Sequence, residues 1–315
     1  MREIALRAGV TVDAVSKALR DRNDISEKKK EEIRKIAEEL GYVPSVIAKN
    51  LRSGTSNIIA VVFNDFYNPY FSISSNTILN ILKEKGFKCQ LIFCDTTLMT
   101  NDDIPYIMIN NYCGIISFVE PTNEVAAFFK NRQMPFTLVG IKSENNDIDC
   151  VYTDDYQGGR LVANEFIKKD YKFGLYMSNS PSETSTRRKN GFTDYCDESN
   201  KKYECYTKIA YHLEEVFEII KEKCIDFVFC FSDALAIQLI EYLKKEKYDK
   251  LIRIVGFDNL HKYYPFSKEI DSVGSDLDKI LEFACNNIIN KIDEKTDLNE
   301  HTSKMFSTYF VNKEN

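Results

Sequence analysis

Short apolar runs alternate with amphipathic stretches over most of the chain. The strand-sized apolar runs are Ile58–Phe63, Cys89–Cys94, Gly114–Phe118, Phe136–Ile141, Phe173–Met177, Phe227–Phe231 and Ile252–Phe257. Helix-like stretches lie between them, for example at Ser72–Lys85, Gln157–Lys169 and Asp233–Glu246. Strands that are apolar on both faces and alternate with helices are typical of parallel sheets covered by helices. The pattern predicts two α/β subdomains over residues 57–315, with ligands bound beyond the carboxyl ends of the strands.

The N-terminal segment has a different pattern, which predicts three short helices. The first is expected over Arg2–Ala8 and the second over Val12–Arg20, with a turn at Gly9 between them and Thr11 as the N-cap. The third would begin after Ser26 and end at Gly41, and its apolar positions recur at helical spacing. Two short helices around a glycine turn, supported by a third, are typical of a helix-turn-helix domain.

A polar segment separates these two patterns. Ser45–Ser53 would form one or two helical turns, and a linker of Ser, Gly and Thr follows at 53–56. We therefore predict a headpiece at 1–44, a hinge helix and linker at 45–56, and a core at 57–315.

The charge is distributed unevenly between these segments. Residues 1–53 contain 12 Lys and Arg against 9 Asp and Glu, a net charge of +3, within a chain whose total is −6. A basic headpiece attached to an acidic core is consistent with a headpiece that binds DNA phosphates. No apolar run approaches the ~18 residues of a membrane span and no signal-peptide pattern is present, so we expect a cytoplasmic protein with no membrane partner.

Neither the cysteines nor the histidines indicate a reactive centre. The nine cysteines include no Cys-x-x-Cys pair, and several lie inside apolar runs, which indicates buried, reduced thiols. The three histidines lack metal-ligand spacing. The chain has no nucleotide-binding glycine motif, no nucleophile elbow and no zinc-protease motif. We expect no metal, no cofactor and no enzymatic activity.

Several short motifs, taken in their order along the chain, resemble the lactose-repressor (LacI/GalR) family of bacterial transcriptional regulators. They are Ala8–Leu19, Ile25–Ser26, Glu39–Pro44, Ala48–Gly54, Asp65–Phe71, Asp154–Gly159, Arg188–Phe192, Ser232–Ala236 and Val255–Asn259. The resemblance implies a helix-turn-helix headpiece, a hinge helix and a two-subdomain body of the type I periplasmic-binding-protein kind, with interleaved chain crossings.

For the headpiece, the resemblance implies that the helix from Thr11 enters the major groove of operator DNA. Val12 would contact a thymine methyl group, while Ser16 and Lys17 match a pair that contacts phosphate and reads a base. Lys17 replaces the family's arginine and loses its bidentate fork. Asp13 would either accept from a cytosine amino group or compensate the charge of the helix N-terminus. Thr11 and Arg20 are expected at phosphates, although a solvated surface charge is the other interpretation of Arg20.

For the hinge, the resemblance implies a helix that lies in the minor groove beside its symmetry mate. Leu51 matches the residue that wedges between base pairs and kinks the DNA. Ala48 would lie at the close contact between the two helices, with Lys49 and Arg52 near phosphates.

For the body, the resemblance implies a small-molecule effector between the two subdomains, with a sugar or sugar derivative as the expected class. The matching effector-binding residues are Tyr70, Phe71, Arg188, Ser232 and Asp258, and Tyr211 is a further candidate ring. Core packing is the other interpretation of each aromatic residue. Asp233 is expected to cap the helix that follows it. Lys262–Asp271 departs from the family pattern, so the effector is not assigned by analogy.

The same resemblance implies a homodimer on a pseudo-palindromic operator, with effector and DNA altering each other's affinity. Two other classes share parts of the pattern. A transporter's solute-binding protein has the same body, but the headpiece and the missing signal peptide argue against it. A regulator that responds to a protein partner, or one with degenerate DNA binding, remains the alternative.

Overall fold

A computed structural model describes residues 1–42, 56–65, 67–208, 212–263 and 270–313. The chain divides into two compact units, Met1–Ser56 and Asn57–Asn315. The expected hinge residues Ala48, Lys49, Leu51 and Arg52, and the candidate ring Tyr211, lie outside the described residues.

The first unit contains three helices among its described residues: α1 (Arg2–Ala8), α2 (Val12–Ala18) and α3 (Glu27–Glu39). Gly9 and Gly41 follow α1 and α3 with positive φ angles of 65° and 60°, a backbone conformation that glycine adopts without strain. The Thr11 hydroxyl accepts from the Ala14 N–H at 3.1 Å and caps α2 as predicted. Ser26 lies at the N-cap of α3 but makes no side-chain cap bond.

Apolar side chains from all three helices form the small core of this unit. Its buried members are Ile4, Ala5, Ala8, Val15, Ala18, Ile33 and Ala37. The predicted end of α2 is wrong, because the helix stops at Ala18 and leaves Arg20 in the turn that follows. That turn brings Asp21 to the side chains of Lys30 and Arg34 on α3, at 3.1 and 2.8 Å.

The second unit is an α/β body. Its strands are β1 (Ile58–Phe63), β2 (Lys88–Phe93), β3 (Leu98–Met99), β4 (Gly114–Ser117), β5 (Glu120–Pro121), β6 (Phe136–Val139), β7 (Asp149–Thr153), β8 (Phe173–Ser178), β9 (Lys202–Thr207), β10 (Phe227–Cys230), β11 (Arg253–Phe257), β12 (Asp271–Gly274), β13 (Ser303–Phe306) and β14 (Tyr309–Val311). Its helices are α4 (Pro69–Glu84), α5 (Ile104–Ile107), α6 (Asn123–Asn131), α7 (Asp155–Lys168), α8 (Glu183–Glu198), α9 (Leu213–Lys223), α10 (Asp233–Lys245) and α11 (Leu277–Ile292).

These strands form two six-stranded sheets and one short two-stranded pair. The first sheet has the order β13-β7-β6-β4-β1-β2, and the second has the order β14-β12-β11-β10-β8-β9. Among the described residues, every strand pairing in them is parallel except that of β12 with β14, as the apolar strand pattern predicts. Parallel strands place all their carboxyl ends at one edge of each sheet.

The chain crosses between the sheets at three described connections. It passes from β7 to α7, which packs with the second sheet, then from β12 to α11, which packs on the first. It crosses again between β13 and β14. Each sheet is therefore completed by residues from a distant part of the chain.

None of the helices that the structure describes is both long enough and apolar enough to cross a membrane.

Candidate functional site

The surface of α2 carries the side chains that the sequence assigns to DNA. Thr11, Val12, Asp13 and Arg20 are exposed, and Val12 is 42% accessible. Ser16 is 8% accessible, so only a small part of it reaches solvent. Val12, Asp13 and Ser16 lie on neighbouring positions of a capped helix, with Thr11 at its N-cap and Arg20 in the turn after it. The start of such a helix is the part that presents side chains to a groove.

Lys17 is engaged by two carboxylates on this surface. Its Nζ lies 2.9 Å from Asp24 and 3.3 Å from Asp13, and these hydrogen bonds raise the pKa of Lys17. Neither sequence interpretation of Asp13 included this ion pair. The sequence analysis missed Asp24, because it lies in the turn between α2 and α3. Neither hydrophobic periodicity nor a capping motif in the sequence indicates that this turn brings Asp24 to Lys17.

A cavity of about 440 Å³ lies between the two sheets, at the carboxyl ends of their strands. Residues that directly follow strands of both sheets line it, among them Asn64, Gly140, Asn179, Phe231, Asp258 and Ser275. This is the position that the strand pattern predicts for a ligand. Its size suits a monosaccharide, a nucleoside or a similar small molecule.

Arg188 of α8 is the centre of the buried polar network in this cavity. Its Nε donates to Asp155 at 2.8 Å and its Nη1 donates to the Phe231 carbonyl at 2.7 Å. Nη1 also lies 3.6 Å from Asp258, and the guanidinium carbon lies 3.6 Å from the centre of the Phe257 ring. The side chains of Arg188 and Asp258 are each 8% accessible, so the pair is fixed by its surroundings before a ligand arrives.

The pKa of the Asp258 carboxyl is raised by its surroundings. Burial raises the pKa of its carboxyl to about 7, an effect that Arg188 opposes and Asp155 reinforces. Burial likewise raises the pKa of Asp155, which Arg188 opposes. Two carboxylates thus share one guanidinium, and Asp258 is the one that lines the cavity.

The backbone at Asp258 is held in a conformation that residues other than glycine rarely adopt. Asp258 and Asn259 have φ angles of 107° and 52°. The Ser272 hydroxyl accepts from the Asn259 N–H at 3.0 Å and donates to Asp233 at 2.6 Å. Asp233 also accepts from the Leu260 N–H at 2.8 Å. These bonds stabilise a strained turn and so direct the Asp258 side chain.

The predicted role of Asp233 as a helix cap is therefore wrong. The N-cap of α10 is Ser232, whose hydroxyl accepts from the Leu235 N–H at 3.3 Å, while Asp233 is fully buried beneath the turn at Asp258. A side-chain carbon at Gly256 would lie 2.1 Å from Asp233 Oδ1, so glycine is required there. Ser232 does line the cavity, with its oxygen already used in capping.

Three aromatic rings form the wall contributed by the first sheet. Tyr70 and Phe71 begin α4, where the Asn68 side chain accepts from the Tyr70 N–H at 3.0 Å. Both rings meet Phe118 edge to face, with centroid distances of 6.1 and 5.6 Å. All three line the cavity. Tyr70 and Phe71 therefore fit both interpretations, because each lines the cavity and each also packs on the core of the first sheet.

The structure thus brings Tyr70, Phe71, Arg188, Ser232 and Asp258 to one cavity. Sequence reasoning missed Phe118 and Asp155. A signal for Asp155 was present, because it follows another acidic residue at the end of a strand. Phe118 gave no signal that separates it from a core residue.

Comparison with known proteins finds a family model for the headpiece and relatives along nearly the whole chain. Residues 1–45 match the family model described as bacterial regulatory proteins, lacI family. The ribose operon repressor of Lactococcus lactis subsp. lactis (strain IL1403) is 23% identical over 269 residues, which cover 82% of this chain and 81% of that protein. The HTH-type transcriptional repressor PurR of Aliivibrio salmonicida (strain LFI1238) is 20% identical over 327 aligned positions, covering 98% and 96%.

A solved structure extends the likeness to the fold of nearly the entire chain. The lac repressor dimer bound to operator and the anti-inducer ONPF superposes with a TM-score of 0.72 at 14% identity, covering 98% of this chain and 96% of that one. The chain thus carries a DNA-binding domain of the lacI family of bacterial regulatory proteins over residues 1–45, its body has the fold of the lac repressor, and it is a DNA-binding transcriptional regulator similar to that family.

Proposed function

We propose that this chain is a sequence-specific transcriptional repressor whose operator affinity is controlled by a sugar-like effector bound between the two sheets. The observation that carries the proposal is the preformed Arg188–Asp258 pair in a cavity with an aromatic wall. Arginine donors and a carboxylate acceptor bind neighbouring hydroxyls, while aromatic rings cover the apolar face of a sugar or base.

The relatives support an effector of this size. One is named as a ribose operon repressor and the other as the transcriptional repressor PurR. A solved LacI-family regulator from Enterococcus faecium, 21% identical with a TM-score of 0.65, contains bound ribose. We extend a sugar-like ligand to this chain because its own cavity offers hydroxyl and amide groups along with the ion pair.

For DNA, we propose that α2 lies in the major groove with Thr11, Val12, Asp13 and Lys17 toward the bases and phosphates. Ser16 and Arg20 are proposed at the backbone. The hinge segment, with Leu51 as the wedge and Ala48, Lys49 and Arg52 beside it, is proposed in the minor groove. As a regulator of bacterial DNA, the protein would work in the cytoplasm.

We further propose a two-fold homodimer. Strand β2 is an edge of the first sheet, and it exposes Leu91 and Phe93. Tyr106 and Ile109, which follow in the chain, are 74% and 70% accessible. Exposed apolar residues on a strand at the edge of a sheet indicate a protein contact, and the lac repressor provides a dimeric relative.

The test is selection of bound duplexes from a random-sequence pool, at one fixed salt concentration, with and without candidate sugars. Enrichment of a two-fold symmetric site with a central pyrimidine–purine step is the expected result. A sugar that changes recovery of that site, and whose effect is lost in Arg188→Lys, would identify the effector class. If no sequence is enriched under any condition, the protein is not a sequence-specific repressor of this kind.

A further inference from the structure

A second cavity, of about 340 Å³, lies at the amino ends of strands β6 and β7. Phe136 begins β6 and Asp149 begins β7, and both residues line it. Lys130 of α6, Lys291 of α11 and His301, which precedes β13, line it as well. The cavity between the two sheets, hereafter the cleft, lies at the carboxyl ends of the same strands. No described residue lines both, so the second cavity is a separate space.

The charged side chains of the second cavity form a row. Lys291 Nζ lies 2.7 Å from Asp149 Oδ2, and these two side chains are only 3% and 2% accessible. Asp149 Oδ1 lies 3.7 Å from His301 Nδ1, and His301 Nε2 lies 3.9 Å from Asp147 Oδ1. Lys130 Nζ ends the row, 2.8 Å from Asp147 Oδ2. The row therefore places one imidazole between two carboxylates, with a cation at each end.

The protein already satisfies Asp149, whereas its two neighbours in the row can still bind a ligand. Asp149 accepts from Asn287 Nδ2 and from the Thr302 N–H, each at 2.8 Å, besides facing Lys291. The Lys291 ammonium has three N–H groups, and its contact with Asp149 uses one of them. His301 Nδ1 is buried and has no hydrogen-bond partner among the described residues. A buried polar atom in this state destabilises the protein until a ligand or water pairs with it.

A carboxylate is the ligand group that suits Lys291 and His301 together. It would accept from the ammonium and from His301 Nδ1 in charge-assisted hydrogen bonds. Burial, and next the Lys291 ammonium, lower the pKa of His301, so the ring is neutral at neutral pH when no anion is present. The row then has no net charge. An anion that arrives with one proton for the ring leaves that balance unchanged.

The rest of the cavity wall is apolar. The Phe129 and Phe136 rings stack with their centroids 5.4 Å apart, and Ala126, Met134 and Leu298 lie around them. An apolar body attached to the carboxylate would contact this wall. The volume is at the lower end of the ~300–1,000 Å³ of small-molecule sites, which suits a compound the size of an amino acid.

We propose that this cavity is a second small-molecule site, which binds a small carboxylate with an apolar body by its Lys291 and His301 side chains. Amino acids and 2-oxo acids both have this chemistry. A ligand here would contact the far ends of three elements that also line the cleft, through Val139 of β6, Tyr152 of β7 and Ile280 of α11. The site is thus physically connected to the cleft without sharing its residues.

The first test uses acids and their uncharged amides with the full chain. The probes are 4-methylpentanoate and 3-phenylpropanoate, each titrated by calorimetry beside its amide at slightly acidic pH. We expect at least one acid to bind and its amide to bind at least about tenfold more weakly, because the amide loses the charge-assisted bonds. Leucine against 4-methyl-2-oxopentanoate, and phenylalanine against phenylpyruvate, then distinguish the two sources. Tighter binding of the amino acid would assign its ammonium to Asp147 at the cavity wall.

The three histidines report where an acid binds. His301 lines the second cavity, His261 follows Asp258 of the cleft by three residues, and His212 lines neither cavity. In ring nitrogen NMR spectra of the unchanged protein, we expect the acid to move the His301 signals toward those of imidazolium and to leave the His212 signals in place.

The variant His301→Leu removes the ring nitrogens at a partly accessible position outside helices and strands. It should weaken binding of the acid at least about tenfold and leave binding of the amide unchanged. His212→Leu is the matched control and should change neither.

Proton uptake by His301 predicts a pH dependence of binding. Lys130, Asp147, Asp149 and Lys291 are the charged groups that face the ring, and an added anion raises its pKa. Affinity should rise as the pH falls from ~8 to ~5.5, about tenfold for each unit by which binding raises this pKa. In His301→Leu this dependence should be lost.

Three results would overturn the proposal. They are equal affinities of an acid and its amide, an acid that moves the His261 signals but not those of His301, and the failure of every acid to bind at millimolar concentration. None of these results bears on the sugar-like effector of the cleft, because the two cavities have different linings.

Discussion

Arg188 lies between two buried carboxylates, and its removal leaves both without a counter-charge. We expect Arg188→Ala to lower the free energy of unfolding by ~3–5 kcal/mol at neutral pH, as for other buried pairs that lose one partner. The loss should shrink in acid, because Asp155 and Asp258 can then take up protons. Chemical denaturation at two pH values measures both effects. Arg187→Ala is the neighbouring control, and an equal loss in that variant would rule out the ion pair as the cause.

Asp258 should make stability depend on pH. Its pKa is raised to about 7 in the folded chain, whereas an unfolded aspartate titrates near ~4. Between these values the folded state holds more protons, so this contribution is fully present below pH ~4 and is lost as the pH rises to about 7.

Between pH ~5 and ~8, we expect the melting temperature of the unchanged protein to fall more than that of Asp258→Asn. The difference between the two decreases should be roughly 2–5 °C. Differential scanning calorimetry without ligand provides the comparison. Parallel pH profiles for the two proteins would show that Asp258 does not titrate in this range.

The residues of the cleft were predictable to different degrees. Tyr70, Phe71, Arg188 and Asp258 were found because motif order fixed their places in the family pattern. Asp233 was misassigned because its position before a helix also suits a cap, and only the folded chain shows the turn above it. Asp155 follows another acidic residue at a strand end, but its contact with Arg188 spans 33 residues of sequence, so the local pattern could not identify that partner.

Helices and strands were predictable where burial imposes a pattern. Strand β1 has the predicted limits, because both its faces are buried. Strands β7 and β9 were missed for different reasons. Strand β7 begins with Asp149, a buried acid whose partner Lys291 lies 2.7 Å away on α11, so its sequence does not read as apolar. Strand β9 is a partly exposed edge strand with polar residues.

Helix α2 and the turn after it should limit non-specific DNA binding, because Lys17 is held by Asp13 and Asp24. We expect Asp24→Asn to raise affinity for random-sequence duplex by roughly two- to fivefold, since Lys17 becomes available to phosphate. Fluorescence anisotropy across a salt series measures this change.

Asp21→Asn is the matched control for Asp24→Asn. It makes the same change in net charge in the same turn, but Asp21 pairs with Lys30 and Arg34 and not with Lys17. An equal gain in affinity in both variants would attribute the effect to net charge alone.

Strand β2 and the segment after it carry the proposed dimer contact. Leu91→Lys combined with Tyr106→Lys should weaken self-association at least about tenfold. In the proposed two-fold interface, the two introduced lysines of each protomer would be buried and would lie near the same lysines of its partner. Sedimentation velocity over a concentration series gives the monomer–dimer distribution. Leu251→Lys, at a leucine that is 93% accessible outside this surface, is the control. A monomer before any substitution would remove the proposed dimer.

Effector and operator should be coupled in both directions. A ligand that changes operator affinity must have its own affinity changed by the same factor, which is ~5–150-fold in typical allosteric proteins. Calorimetry of the effector with free protein and with the operator complex gives one factor, and operator titrations with and without effector give the other. Unequal factors would contradict a model in which one effector site and one operator site are coupled at equilibrium.

The three crossings between the sheets also set an order for synthesis on the ribosome. Asp149 of β7 is made early, but its partners Lys291 and the Thr302 N–H are made only after every strand of the second sheet except β14. The first sheet therefore stays incomplete, with a buried carboxylate unpaired, until almost the entire chain has emerged. The subdomain whose strands are made first is therefore completed late. A ribosome that stalls within α11 would leave the β7 edge exposed, where chaperones or neighbouring chains can bind it.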